Sequence, residues 1–248
     1  MTKIDLRALG KKATEDRVAG YVGPFLQRAA NWRPQGTLTK YLLLSVPRVG
    51  SNWLAHELRN ESELGYPYEW FKPLYIDSVL RRIGRSFDRQ QYTELVVAGS
   101  TTPNGVFGLK AQIDQVLWLR RERQFDLLEL GFDRIIWLDR HDPVGQAYSY
   151  VRSTKSNVFS RYTEQERHVE DFGNRHMVIE TSAVLAAAAQ LTQWKETFER
   201  EFRARTDLCL SYEEVLEHGV DGAVARIRQL LGLDPARRSP STRDYEKQ

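Results

Sequence analysis

At 248 residues, with 41% hydrophobic and 28% charged side chains, the chain has an ordinary globular composition and is long enough to bury one large core. A formal net charge of +3 is too mild to argue for nucleic acid, and the apolar runs fall far short of the ~20 residues that span a bilayer. The single cysteine, Cys209 in DLCLS, excludes an internal disulfide and, with no activating charge beside it, is expected to be a buried structural thiol.

In chain order, the N-terminus MTKIDLRALGKKATEDRV lacks a hydrophobic signal core, which with the lone cysteine favours the cytoplasm. Residues 11–32 have mixed helical spacing and predict one or two helices, with Gly23-Pro24 as the break. YLLLSV (41–46) is the continuous apolar run of a strand covered on both faces, and GVFGL (105–109), RIIWLD (134–139) and DLCLS (207–211) share its character. Helix-patterned stretches lie between and after them at 51–60, about 74–98, 111–130, 143–156, 177–203 and 222–231. This alternation predicts an α/β fold with an open parallel sheet flanked by helices. The polar stretch 157–176 reads either as a substrate-covering loop or as a surface connection between helices. Basic clusters at 81–82, 120–123 and 237–238 read as solvated faces, any one of which can serve an anion.

The most informative stretch is VPRVGSNWL, residues 46–54, where a strand ends and a helix begins. A helix N-terminus beyond the carboxyl end of a strand is an anion site in open α/β folds. Gly50 lets the backbone turn its N–H groups toward an oxygen, Ser51 and Asn52 add side-chain hydrogen bonds, and Arg48 adds a fixed cation. The alternative is a plain strand-to-helix turn with Ser51 as its N-cap. The chain has no G-x-x-x-x-G-K-[ST] match, which counts against a magnesium-dependent nucleoside triphosphatase.

Three further stretches follow in order: GYPYEWF (65–71), TTPNGVFGLK (101–110) and IIWLDRHDPVGQAYSYVRSTKSNVF (135–159). Together with the loop they resemble the bacterial trehalose-2-sulfotransferase-type family over roughly residues 40–245, leaving 1–38 outside. The looser ends of the match are DLCLSYEEVLEH and the tail RRSPSTRDYEK. The resemblance implies a P-loop-like sulfotransferase domain over 39–248, preceded by an N-terminal helical extension over 1–38. It implies 3′-phosphoadenylyl sulfate (PAPS) as sulfuryl donor. In this sequence the matched donor-binding positions are Pro47, Arg48, Val49, Gly50, Ser51, Asn52 and Trp53, with Arg140 and Ser149 at the 3′-phosphate. Asp142, Gln146, Ala147, Arg152 and Phe159 complete the third stretch. Lys110, at a strand end, is a weaker candidate for phosphate or substrate contact, as are Arg237, Arg238 and Arg243 for the 3′-phosphate.

The same resemblance makes Glu69 the general base and Arg48 a catalytic cation. Burial among Tyr68, Trp70 and Phe71 is expected to raise the Glu69 pKa toward a working value. His56 is the alternative base. The other reading of Arg140 is an ion pair with Asp139 or Asp142. Val49, Asn52, Pro47 and Trp53-Leu54 depart from the family's usual residues; they keep the backbone donors but remove a hydroxyl, so phosphosulfate affinity is the property they touch. No metal is expected, because the five histidines are dispersed and no ligand spacing occurs. The acceptor is expected to be a hydroxyl on a carbohydrate, a glycosylated compound or a small-molecule metabolite, with Tyr66, Tyr68, Trp70, Phe71 and Tyr75 available to stack on a ring. Family members are often homodimers, though no stretch here supplies an interface. Rival readings are a catalytically idle nucleotide- or glycan-binding protein of the same fold and an ATP-dependent phosphotransferase.

Overall fold

Strand β1 (Thr39–Ser45) is the centre of the molecule, and its burial decides the rest. Tyr41 to Leu44 are wholly inaccessible, so both faces must be covered by helices. The computed structural model describes residues 6–33, 36–159 and 164–237. In it β1 lies between β2 (Val106–Gln112) and β3 (Arg134–Asp139), and β4 (Leu208–Ser211) extends the sheet beyond β3. The order is β2-β1-β3-β4 and every pairing is parallel, as the alternation predicts. In register, Ser45 faces Gln112 and Leu138, and Asp139 faces Ser211. All four strands therefore end at one edge, and the chain switches sides between β1 and β3 there, the usual position of a ligand crevice.

The helices are α1 (Leu6–Asn31), α2 (Ser51–Asn60), α3 (Pro73–Ile83), α4 (Arg89–Ser100), α5 (Ile113–Arg123), α6 (Pro143–Ser156), α7 (Glu164–His176), α8 (Thr181–Glu201), α9 (Tyr212–Glu217) and α10 (Gly219–Leu230). Helix α1 runs straight through Gly23-Pro24 instead of breaking there. Pro24 and Gly20, whose carbonyl loses its partner, are both exposed, so water takes the lost bond. On the opposite face Val18, Val22 and Phe25 are buried, and Phe25 stacks on Trp70 at 3.9 Å between centroids. The boundary expected at 38/39 falls in the link between α1 and β1, and α1 shares one core with the rest of the chain.

Two long helices are shorter than the periodicity suggests. The stretch 74–98 divides where Gly84 turns left-handed at φ 66° and Asp88 caps α4 by accepting from the Gln91 amide at 2.8 Å. The stretch 111–130 ends its α-helix at Arg123 and continues as a single 3₁₀ turn, Leu127–Leu130. The polar segment 157–176 is mostly helix: α7 is fastened to α1 by Arg17 and Glu166 (2.8 Å) and to α6 by Arg152 and Glu170 (2.6 Å). Cys209 is exposed rather than buried. It lies early on the sheet's edge strand, and its Sγ faces the Arg203 guanidinium at 2.6 Å. Among the described residues no helix is long and apolar enough to cross a membrane.

Candidate active site

The turn from β1 to α2 is built by its neighbours. Gln146 donates to the Pro47 carbonyl at 2.7 Å and Arg140 reaches the Arg48 carbonyl at 3.5 Å, drawing two carbonyls back toward α6. Arg48 adopts φ 66°, a left-handed conformation that costs a non-glycine residue about 1 kcal/mol or more. Its side chain secures that turn, with Nε donating to Ser149 Oγ at 3.0 Å and Nη1 to the Phe159 carbonyl at 2.7 Å. Gly50 then caps α2 at φ 78°, where a Cβ would also lie 2.7 Å from the Tyr212 ring. Gly50 rather than Ser51 is thus the N-cap, and no side-chain oxygen covers the cap. The first turn of α2, Ser51 to Trp53, opens onto a cleft of about 440 Å³.

The cleft is lined by Pro47, Arg48, Gly50, Ser51, Asn52 and Trp53, and also by Glu69, Arg140 and Ser149, so the structure brings the predicted positions together. Val49 is the exception: its side chain is fully buried in the core, so only its main chain can serve the loop. The hydroxyl missing at position 49 would have pointed away from any ligand. His56, the alternative base, is not among the cleft-lining residues. Arg140 pairs with Asp142 at 3.1 Å and lies over the Tyr212 ring at 5.0 Å, while Asp139 is taken by Lys195 at 2.6 Å. The Arg140 Nε is nevertheless buried without a hydrogen-bond partner, a donor left over on the cleft wall. Arg237 pairs with Glu63 at 3.0 Å; Arg238 and Arg243 lie outside the described residues.

Glu69 is 8% exposed, and its environment is the reverse of the one expected. Burial pushes its carboxyl pKa up, but Lys110 Nζ at 2.5 Å and Lys72 Nζ at 3.6 Å hold it far below the ordinary carboxylate range. Lys110 is itself buried and also donates to Asn52 Oδ1 at 2.9 Å, tying the carboxylate to the loop. Burial lowers the Lys110 pKa, and the Lys72 and Arg59 cations add to that effect against the pull of Glu69. The carboxylate is therefore ionised in a neighbourhood with surplus positive charge. Asp114, one residue into α5, also lines the cleft, and burial pushes its pKa up.

The aromatic loop does not offer its rings to a ligand. Tyr68, Trp70, Phe71 and Tyr75 are buried: Trp70 stacks on Phe25, Tyr68, Trp70 and Tyr75 pack on one another, Phe71 packs on Tyr92 and Phe125, and the hydroxyls of Tyr68 and Tyr75 meet Arg17 at 2.7 and 3.1 Å. Tyr66 lies beneath the Arg28 guanidinium at 4.2 Å. Stacking on a sugar ring by this loop is thus unavailable. Sequence reasoning missed Lys72, Asp114 and Tyr212. Each had a signal: Lys72 lies three residues after Glu69, and the other two lie just past the ends of β2 and β4. Arg17, on α1, had none.

The family model described as Stf0 sulphotransferase matches residues 40–248. Among solved structures, the chain is similar to a crystallised sulfotransferase from Alicyclobacillus acidocaldarius at 15% identity and a TM-score of 0.45, over 84% of this chain and 86% of that one. No curated protein matches the chain significantly.

Proposed function

The chain belongs to the Stf0 sulphotransferase family, and we propose that it transfers a sulfuryl group from PAPS to the hydroxyl of a carbohydrate or other small-molecule acceptor. The observation that carries this reading is the shared cleft, in which a glycine-capped helix N-terminus, several cations and an ionised carboxylate meet. PAPS, when bound, supplies an activated sulfuryl on a phosphate leaving group. The amides of Gly50 to Trp53 and the Arg48 guanidinium would hold the 5′-phosphosulfate end, where negative charge builds during transfer. Arg140, with its unspent Nε, and Ser149 would hold the 3′-phosphate. Gly50, at φ 78°, holds the turn flat against the Tyr212 ring, where a side chain would not fit.

In the in-line step the acceptor oxygen forms the new S–O bond as the bond to the phosphate oxygen breaks, and the electron pair leaves with adenosine 3′,5′-bisphosphate (PAP). Glu69 takes the acceptor's proton. Its depressed pKa makes it a weak base, yet a sufficient one, because a hydroxyl oxygen bonding to sulfur becomes strongly acidic. Lys110 and Lys72 hold Glu69 ionised beforehand, and Lys72, which lines the cleft, would face the anionic donor. The tight Lys110–Glu69 pair also favours a second reading, a nucleotide-binding protein that no longer turns over.

Calorimetric titration with PAP, ATP and magnesium, followed by assay with radiolabelled PAPS, tests both. PAP binding below micromolar without metal, with transfer to a hydroxyl acceptor, supports the enzyme. Absence of PAP binding refutes it. Tight PAP binding without transfer to any acceptor supports the idle protein.

A further inference from the structure

The cleft continues past Glu69. Asn52, Glu69, Lys72 and Phe159 line both the cleft and a neck of about 20 Å³. Thr14, Lys72, Leu74 and Phe159 line both that neck and an outer groove of about 610 Å³. Three cavities thus stand in line, with Lys72 and Phe159 common to all of them. The neck has room for about one water-sized group, so a hydroxyl fits and a sugar ring does not. Its lining mixes apolar Leu74 and Phe159 with polar groups, among them Tyr68, Tyr75, Arg17 and Lys110 beside Glu69.

The outer groove differs in character. It follows one face of α1, where Arg7, Lys11 and Glu15 recur every four residues, and its apolar surface comes from Ala8, Leu74 and Phe159. Lys11 there is paired with Glu15 at 3.9 Å, an exposed and weak contact, and Lys72 at the inner end is paired with Glu69 at 3.6 Å. This face of α1 lies wholly outside the matched residues 40–248. Whatever the groove selects is chosen jointly by this face and by Lys72, Leu74, Asn157 and Phe159 of the matched region.

We propose that the groove along α1 is the acceptor site, and that it takes a slender, unbranched alcohol bearing a carboxylate or phosphate. The hydroxyl occupies the neck at Glu69, the apolar stem lies on Ala8, Leu74 and Phe159, and the anion meets Lys11 or Arg7. The length follows from the helix. Lys11 and Arg7 stand three and seven residues before Thr14 at the neck, roughly 4.5 and 10.5 Å along the axis at 1.5 Å per residue. An extended chain covers about 3.5 Å in three bonds, so roughly four to nine bonds separate hydroxyl and anion. This inference rests on the sulfuryl-transfer reading and narrows its acceptor.

The test uses the full chain, radiolabelled PAPS and three probes: 6-hydroxyhexanoate, 1-hexanol and trehalose, with PAP titration alongside. The expected kcat/KM for 6-hydroxyhexanoate is about tenfold or more above that for 1-hexanol, the step that one charge-assisted contact supplies. The double variant Arg7→Glu, Lys11→Glu removes that preference through KM and leaves PAP affinity unchanged, and Leu74→Trp raises KM for both straight-chain alcohols. Normal PAP binding with transfer to trehalose but not to the straight-chain probes overturns the proposal. So does a preference that survives the double variant, or normal PAP binding with no transfer to any of the three. Failure of the unaltered chain to bind PAP overturns the sulfotransferase reading itself, and the proposal with it.

Discussion

The two walls of the cleft are made in different ways. The wall proposed for the donor consists of segments that leave the sheet at one edge: the loop after β1, the turn after β3 with α6, and Tyr212 after β4. Its main-chain direction is fixed by side chains that hold backbone carbonyls, Gln146 on Pro47 and Arg140 on Arg48. The wall proposed for the acceptor, along the neck and outer groove, consists of α1, the aromatic loop with α3, and the segment that reaches Phe159, brought together by tertiary packing. It is held by buried ionic contacts, Arg17 to Glu166 and Lys110 to Glu69, whose partners lie 149 and 41 residues apart. A wall of main chain tolerates substitution of side chains that point elsewhere, as Val49 does. A wall of paired charges does not, because losing one partner strands the other in a poorly solvated site.

If the walls are separable, changes to one should alter turnover or stability and changes to the other should alter nucleotide affinity. The largest effect is expected from Glu69→Gln, which should lower kcat by about 10²- to 10⁴-fold while PAP affinity in calorimetry stays within a few-fold. Full turnover in that variant would remove Glu69 from the chemistry. Next is Lys110→Met, which leaves the Glu69 carboxylate buried beside Lys72 alone. Urea denaturation should show a loss of about 3–5 kcal/mol, and a change under 1 kcal/mol would mean the pair is far better solvated than its geometry implies. On the donor wall, Arg140→Gln should weaken PAP binding about tenfold to a hundredfold while adenosine 5′-phosphosulfate, which lacks the 3′-phosphate, binds as before. Equal loss for both ligands would detach Arg140 from the 3′-phosphate.

The smallest effect is in the pH profile. The Glu69 pKa is held well below its ordinary value, so the base is ionised throughout the weakly acidic and neutral range and contributes no acid limb there. The Lys110 pKa is lowered by burial, so its ammonium is lost as pH rises through a value below that of an ordinary lysine. Then kcat/KM should be flat at low pH and fall early on the alkaline side. An acid limb near the ordinary carboxylate pKa that disappears in Glu69→Gln would contradict this electrostatic account.

The alternation of apolar runs with helical stretches determined the parallel sheet, because a strand buried on both faces must be continuously apolar and its neighbours must be helices. The same local information marked the loop Pro47–Asn52 as an anion-holding turn at a strand end, whereas the roles of Glu69, Arg140 and Ser149 came only from the family resemblance. Element boundaries at Gly84 and Gln124 were less legible, because a left-handed residue interrupts a periodic pattern without changing its hydrophobicity. Cys209 was misplaced for a related reason: apolar neighbours in DLCLS do not reveal that β4 is the sheet's edge.

What only the tertiary structure decided is charge. A carboxylate between aromatic residues reads as a raised pKa in sequence, but Lys110 approaches from 41 positions away to join Lys72, three positions on at the N-cap of α3, and together they reverse the sign. Coulomb energy depends on distance through space, and a one-dimensional pattern carries none of it until the chain is folded.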